Sequence, residues 1–75
     1  MKEKLIELLA EIRPEFDFMI DADFIEEGML DSFDLVSLVD SIETELGVAI
    51  SGMDIIPENF NSIDAIINVI NKNKK

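Results

Sequence analysis

Ser32 is the residue whose type and position in this sequence most favour a chemical role. It follows Asp31 and opens a run with helical spacing, so its hydroxyl is expected at the N-terminal end of a helix. The chain has no histidine, no cysteine and no lysine near Ser32, so nothing activates this hydroxyl as a nucleophile. A helix N-terminus presents unpaired amides and a positive dipole end to anions. We therefore predict no catalytic residue, and a phosphate or phosphodiester on Ser32.

A second interpretation of Ser32 is that it is only a helix cap. Either Asp31 or Ser32 could accept a hydrogen bond from the first amides of the helix, which stabilises by about 1 kcal/mol. The protein would then be an acidic helical interaction module that binds a basic partner. Only the first interpretation predicts a covalent mass gain at Ser32.

A third interpretation, a calcium-binding loop, starts from the sequence Asp21-Ala22-Asp23. An EF-hand loop that began at Asp21 would need a glycine and a glutamate at the positions of Glu26 and Ser32. These residue types exclude an EF-hand, and we predict no metal site.

The charges are divided between the middle of the chain and its ends. Seventeen acidic and six basic residues give a net charge of −11, and no lysine or arginine lies between Glu15 and Asn71. An acidic surface that serves solubility alone is the simpler explanation. The alternative is a docking surface for basic proteins. The negative charge repels phosphate backbones and anionic lipid head groups, so it disfavours nucleic acid and membranes as partners.

Length and composition indicate one small globular domain over residues 1–75. Apolar residues make up 48 % of the chain, which is too many for a disordered acidic tail. No window holds the roughly 20 apolar residues of a membrane span, and no apolar signal segment follows Met1. We expect a soluble, cytoplasmic monomer.

Apolar spacing predicts the first two helices, over about residues 2–12 and 32–46. Pro14 ends the first helix, and Gly47 supplies the left-handed stop of the second. The loop between them is long and carries apolar side chains that should pin it to the core. These are Phe16, Phe18, Met19, Ile20, Phe24 and Ile25.

The second half of the chain predicts a short helical turn over residues 54–60, with Pro57 near its start, and a last helix capped by Asn61 or Ser62. The last helix ends at lysines that suit its negative end, namely Lys72, Lys74 and Lys75. The apolar residues 48–50 have no partner strand. The expected fold is therefore all-α, an up-and-down bundle of three main helices plus one short helix. Its predicted core is Leu5, Leu8, Leu9, Leu35, Leu38, Val39, Ile42, Leu46, Ile63, Ile66, Ile67 and Ile70.

Phe33 lies on the side of the second helix that faces away from this core. On a helix turning about 100° per residue, Asp40 shares that outer side and Val36 lies on its shoulder. We expect an apolar contact surface next to Ser32.

The sequence Gly28-Met29-Leu30-Asp31-Ser32-Phe33 resembles the 4′-phosphopantetheine attachment motif of acyl carrier proteins and of peptidyl and D-alanyl carriers. The resemblance covers nearly the whole chain, since the length, the acidity and the order of the helices also agree with those of such carriers.

The resemblance implies a carrier that is not itself an enzyme. A phosphopantetheinyl transferase would join Ser32 to 4′-phosphopantetheine from coenzyme A, and Asp31 would help to orient that complex with Mg²⁺. The thiol of the arm would hold acyl or aminoacyl groups as thioesters. A loading ligase and downstream acyl-transfer enzymes with basic docking surfaces would be further partners, in fatty acid, polyketide, nonribosomal peptide or related biosynthesis.

The resemblance also implies which residues contact partners. Phe33 and Val36 are the apolar candidates, and the acidic candidates are Asp34, Asp40, Glu43 and Glu45. Two positions depart from the common pattern: leucine usually occupies position 33, and fatty-acid carriers often have an apolar residue at position 40. We therefore expect a specialised docking surface, closer to carriers of aminoacyl or dedicated pathway intermediates.

Overall fold

The computed structural model describes residues 1–74 and is all-α over that range, as predicted. Lys75, which we placed at the end of the last helix, lies outside the described residues. None of the helices in the described part of the chain is long and apolar enough to cross a membrane. The elements are α1 (Lys2–Ile12), α2 (Ser32–Leu46), two short 3-10 turns (Gly52–Asp54 and Pro57–Asn59) and α3 (Ile63–Asn73).

Helices α1 and α2 run antiparallel, which brings the end of α1 to the start of α2. At one end of the pair, Arg13 Nε lies 2.9 Å from Asp34 Oδ2. At the other end, Lys4 Nζ lies 3.3 Å from Glu45 Oε1. Helix α1 also packs against α3, so its apolar stripe is covered from two sides.

The helix stripes form the core as predicted, but four positions are less buried than expected. Val39, Leu46, Ile63 and Ile67 pack against the edge of the core and remain partly exposed. The centre is completed by apolar side chains from the loops, which periodicity alone does not identify. These include Phe18, Phe24, Met29, Leu30, Val48, Ile50 and Phe60.

The long loop before α2 is fastened to the core by Phe18 and Phe24, with Phe16 and Ile25 packed at the core edge. The prediction that Met19 and Ile20 also pin it is wrong: they are 75 % and 51 % exposed, because the loop has no regular period that would turn every apolar side chain inward.

The Phe24 ring is fully buried and meets the Phe18 ring edge-on at 5.0 Å. Its backbone N–H donates to the Asn61 carbonyl at 2.8 Å, and its carbonyl accepts from the amides of Met29 and Leu30. These contacts fix the backbone that leads into the start of α2.

The single short helix predicted over residues 54–60 is wrong in detail, since the chain forms two 3-10 turns there. Pro57 opens the second turn, and the residue before a proline is driven into extended backbone. Ile56 accordingly has φ −129° and ψ 153°, which separates the two turns. Asp54, at the end of the first turn, is anchored to α3 by Lys72 Nζ at 2.9 Å and Asn73 Nδ2 at 3.1 Å.

Candidate functional site

Ser32 is the first residue of α2, and Asp31 is the cap. Asp31 Oδ1 accepts from the Asp34 amide at 3.0 Å, and Asp34 Oδ2 accepts from the Asp31 amide at 2.9 Å. This reciprocal capping box leaves no capping role for Ser32. The Ser32 side chain is exposed, and its hydroxyl takes part in none of these bonds. The interpretation of Ser32 as the helix cap is therefore wrong.

Arg13 connects this capping box to the end of α1. Its guanidinium donates to Asp34 Oδ2 from Nε at 2.9 Å and to Asp31 Oδ2 from Nη2 at 3.2 Å. Nη1 reaches Glu15 Oε2 at 3.3 Å on the more exposed side. Asp31 and Asp34, which lie before and after Ser32 in the sequence, are thus ion-paired to the end of α1.

Asp34 is buried but stays ionised because Arg13 lies against it. Burial on its own would raise the pKa of Asp34, but hydrogen bonds from Arg13 and from the Asp31 backbone outweigh burial and leave this pKa below its ordinary value. The same contact raises the pKa of Arg13 further above its already high value, against the opposing effect of its own desolvation. The two charges therefore persist together at neutral pH.

Acid should remove the stability that Asp34 contributes. A carboxyl whose pKa is lowered by folding stabilises the protein above the ordinary aspartate pKa of about 4, and this contribution disappears as the pH falls through the folded value. We expect Asp34→Asn to lower the free energy of unfolding at pH 7 by about 1–3 kcal/mol, the size of a hydrogen bond to a charged group. Urea unfolding should show this deficit shrinking below about pH 4. A deficit of the same size at every pH would contradict the expectation.

A shallow hollow of about 330 Å³ opens beside Ser32. Its walls come from the loop before α2, from the start of α2 and from Pro57 of the second 3-10 turn. Most of the side chains around it are apolar. They are Ile25, Leu30, Leu35 and Pro57, with Gly28, Asp31 and Ser32 at the opening helix end.

The family model for the phosphopantetheine attachment site matches residues 3–70, which is nearly the entire chain. The chain belongs to this family. Members of the family bind 4′-phosphopantetheine covalently and act as carriers, so the sequence-based assignment of a carrier is confirmed.

The carrier exposes apolar side chains next to its first α2 turn. Phe33 is 85 % exposed and Val36 is 64 % exposed, so neither contributes to the core. Sequence reasoning also did not single out Met53 and Ile56, which are exposed apolar residues on the segment of the two 3-10 turns. The sequence feature that could have identified them is that they are apolar residues outside every helix stripe.

The four acidic residues expected at partner contacts differ in their surroundings. Asp40 and Glu43 are exposed and form no ion pair within residues 1–74. Glu45 is exposed but lies 3.3 Å from Lys4. Asp34 does not fit a surface contact, because its side chain is buried in the capping box and paired with Arg13. Its position on the edge of the helix stripe turned it towards α1.

Proposed function

We propose that this carrier holds acyl or aminoacyl groups as thioesters on a phosphopantetheine arm attached to Ser32. The main support is the start of α2, where Ser32 is exposed while Asp31 performs the capping. A hydroxyl without a structural task can be esterified without loss of a native hydrogen bond. The proposed activity is carriage between partner enzymes, with the bond chemistry supplied by them.

Attachment would proceed by transfer from coenzyme A. The Ser32 oxygen attacks the phosphorus atom at the pantetheine end of the diphosphate, its proton leaves to a base of the transferring enzyme, and adenosine bisphosphate departs. The phosphodiester then lies at the start of α2, where the first amides and the positive helix end favour an anion. Asp31 stands next to the reacting hydroxyl and is proposed to orient the complex with the transferase.

The proposed docking surface consists of Phe33, Val36, Asp40, Glu43 and Glu45. An apolar centre with an acidic border fits a partner that offers an apolar pocket surrounded by lysine and arginine. The transferase, a loading ligase and downstream acyl-transfer enzymes are the proposed partners, and nucleic acid and membranes are not. Phe33 and Asp40 favour a dedicated pathway over general fatty acid synthesis, within the polyketide, nonribosomal peptide or related biosynthetic routes. We propose that the carrier works as a cytoplasmic monomer.

The absence of cysteine from the sequence gives a direct test of carriage. Before modification the chain has no thiol. After incubation with coenzyme A and a phosphopantetheinyl transferase of broad specificity, a maleimide reagent should label one thiol per chain, as counted by intact mass. A chain that stays unlabelled while a known carrier is labelled in the same reaction would refute the proposal.

A further inference from the structure

Arg13 is the one lysine or arginine between residues 5 and 71. In a chain of net charge −11, many exposed carboxylates could attract this cation. Besides Glu15, its guanidinium contacts Asp31 and Asp34, on either side of the attachment residue in sequence. The single positively charged side chain of this part of the sequence therefore lies at the start of α2.

The position of Arg13 follows from its neighbour Pro14. A residue before proline is disfavoured in helical backbone, and Arg13 has φ −134° and ψ 76°. Its amide still donates to the Leu9 carbonyl, so the helix ends here without losing that bond. The chain leaves α1 at this residue, and the side chain reaches across to α2.

Arg13 completes the fixation of the Asp31 carboxylate. Asp31 Oδ1 accepts from the Asp34 amide, and Oδ2 accepts from Arg13 Nη2. Hydrogen bonds to both oxygens favour this orientation of the carboxylate relative to the start of α2. Without Arg13, one hydrogen bond would remain, and the negative charge of Asp34 would repel the second oxygen.

We propose that Arg13 is a positioning residue for attachment of the arm, holding the Asp31 carboxylate in the orientation that the transferring enzyme requires. This inference rests on the proposed function, in which Ser32 receives the arm and Asp31 assists. The planar guanidinium can serve two carboxylates at once, whereas an ammonium group is a single point charge. Arg13 acts through Asp31 and contacts no reacting atom.

The test compares steady-state rates of arm attachment in purified full-length variants. Arg13→Gln should lower kcat by about ten- to a hundred-fold, the cost of a misplaced assisting group. KM for the carrier should change little, because Phe33 and Val36 remain exposed. Arg13→Lys should have a kcat between those of Arg13→Gln and the wild type. If circular dichroism shows that Arg13→Gln is unfolded, the kcat of Arg13→Lys decides the test. A wild-type kcat in the folded variant overturns the proposal.

Lys72→Gln is the matched control, because it removes an ion pair to another buried aspartate, Asp54, that joins α3 to the first 3-10 turn. It should destabilise the fold and leave kcat unchanged. An equal loss of kcat in this control would assign the effect of Arg13 to general stability and overturn the proposal.

A double-variant cycle with Asp31→Asn tests the route of action. If Arg13 works through Asp31, Arg13→Gln should lower kcat little further once Asp31 is changed. If the fold-loss of kcat in the double variant equals the product of the losses in the two single variants, this route is contradicted. A wild-type protein that receives no arm would refute the proposed function itself. A wild-type protein that is modified, with the same kcat as Arg13→Gln, would overturn only the role of Arg13.

Discussion

Ser32→Ala is expected to abolish arm attachment and to leave the fold intact. The phosphodiester requires the Ser32 oxygen, and the next side chain, Phe33, has no group that could replace it. Because Asp31 caps α2, the substitution removes no capping bond, and alanine is the best helix former. Intact mass after incubation with coenzyme A and the transferase should show no gain, and the melting temperature should be unchanged or slightly higher.

Ser37→Ala supplies the control for this result, since Ser37 is a second exposed serine on the same helix. Its mass gain should equal that of the wild type. Attachment that persists in Ser32→Ala, or that disappears in Ser37→Ala, would show that another hydroxyl carries the arm.

Phe33→Ala is expected to weaken recognition by the transferase about ten-fold or more, seen as a higher KM for the carrier. Exposed aromatic residues at the centre of a docking surface often contribute more than 1 kcal/mol to binding. Stability should change by only about 0.5 kcal/mol or less, because the ring is 85 % exposed. Initial rates at several carrier concentrations and urea unfolding measure the two effects separately.

Met19→Ser is the matched control, because Met19 is an exposed apolar residue, 75 % accessible, outside the proposed docking surface. It should leave KM unchanged. Phe33→Leu, which keeps a large apolar side chain at this position, should retain most of the recognition. Equal losses of stability and recognition in Phe33→Ala would place the ring in the core and contradict the docking role.

The limits of α1 and α2 could be predicted because their end signals are local. Pro14 acts on its own neighbour Arg13, and Gly47 adopts the left-handed conformation with φ 70° that ends α2. For α3 the sequence left two possible caps, and Ser62 proved to be the one, accepting from the Ala65 amide at 3.1 Å. Such signals act within a few residues and do not depend on the rest of the fold.

The details that could not be predicted depend on contacts distant in sequence. Arg13 and Asp34 are 21 residues apart, and nothing in their local sequence pairs them. Their pairing removes Asp34 from the proposed docking surface. Phe24 and Phe60 become central to the core only once the loops fold over the helices, so no helical period identifies them.

The site itself was half determined by the sequence. Ser32 was placed correctly at the start of a helix, but whether Asp31 or Ser32 capped that helix stayed open. The choice depends on the reciprocal bond from the Asp31 amide to the Asp34 side chain. The sequence Asp-Ser-Phe-Asp allows this capping box without requiring it.

Fragmentation mass spectrometry of the modified protein is the most direct measurement of the central claim. The account predicts that the whole mass gain of one phosphopantetheine resides on Ser32, with the other serines unmodified. A gain localised to Ser37, Ser41, Ser51 or Ser62, or no gain in a reaction that modifies a known carrier, would contradict it.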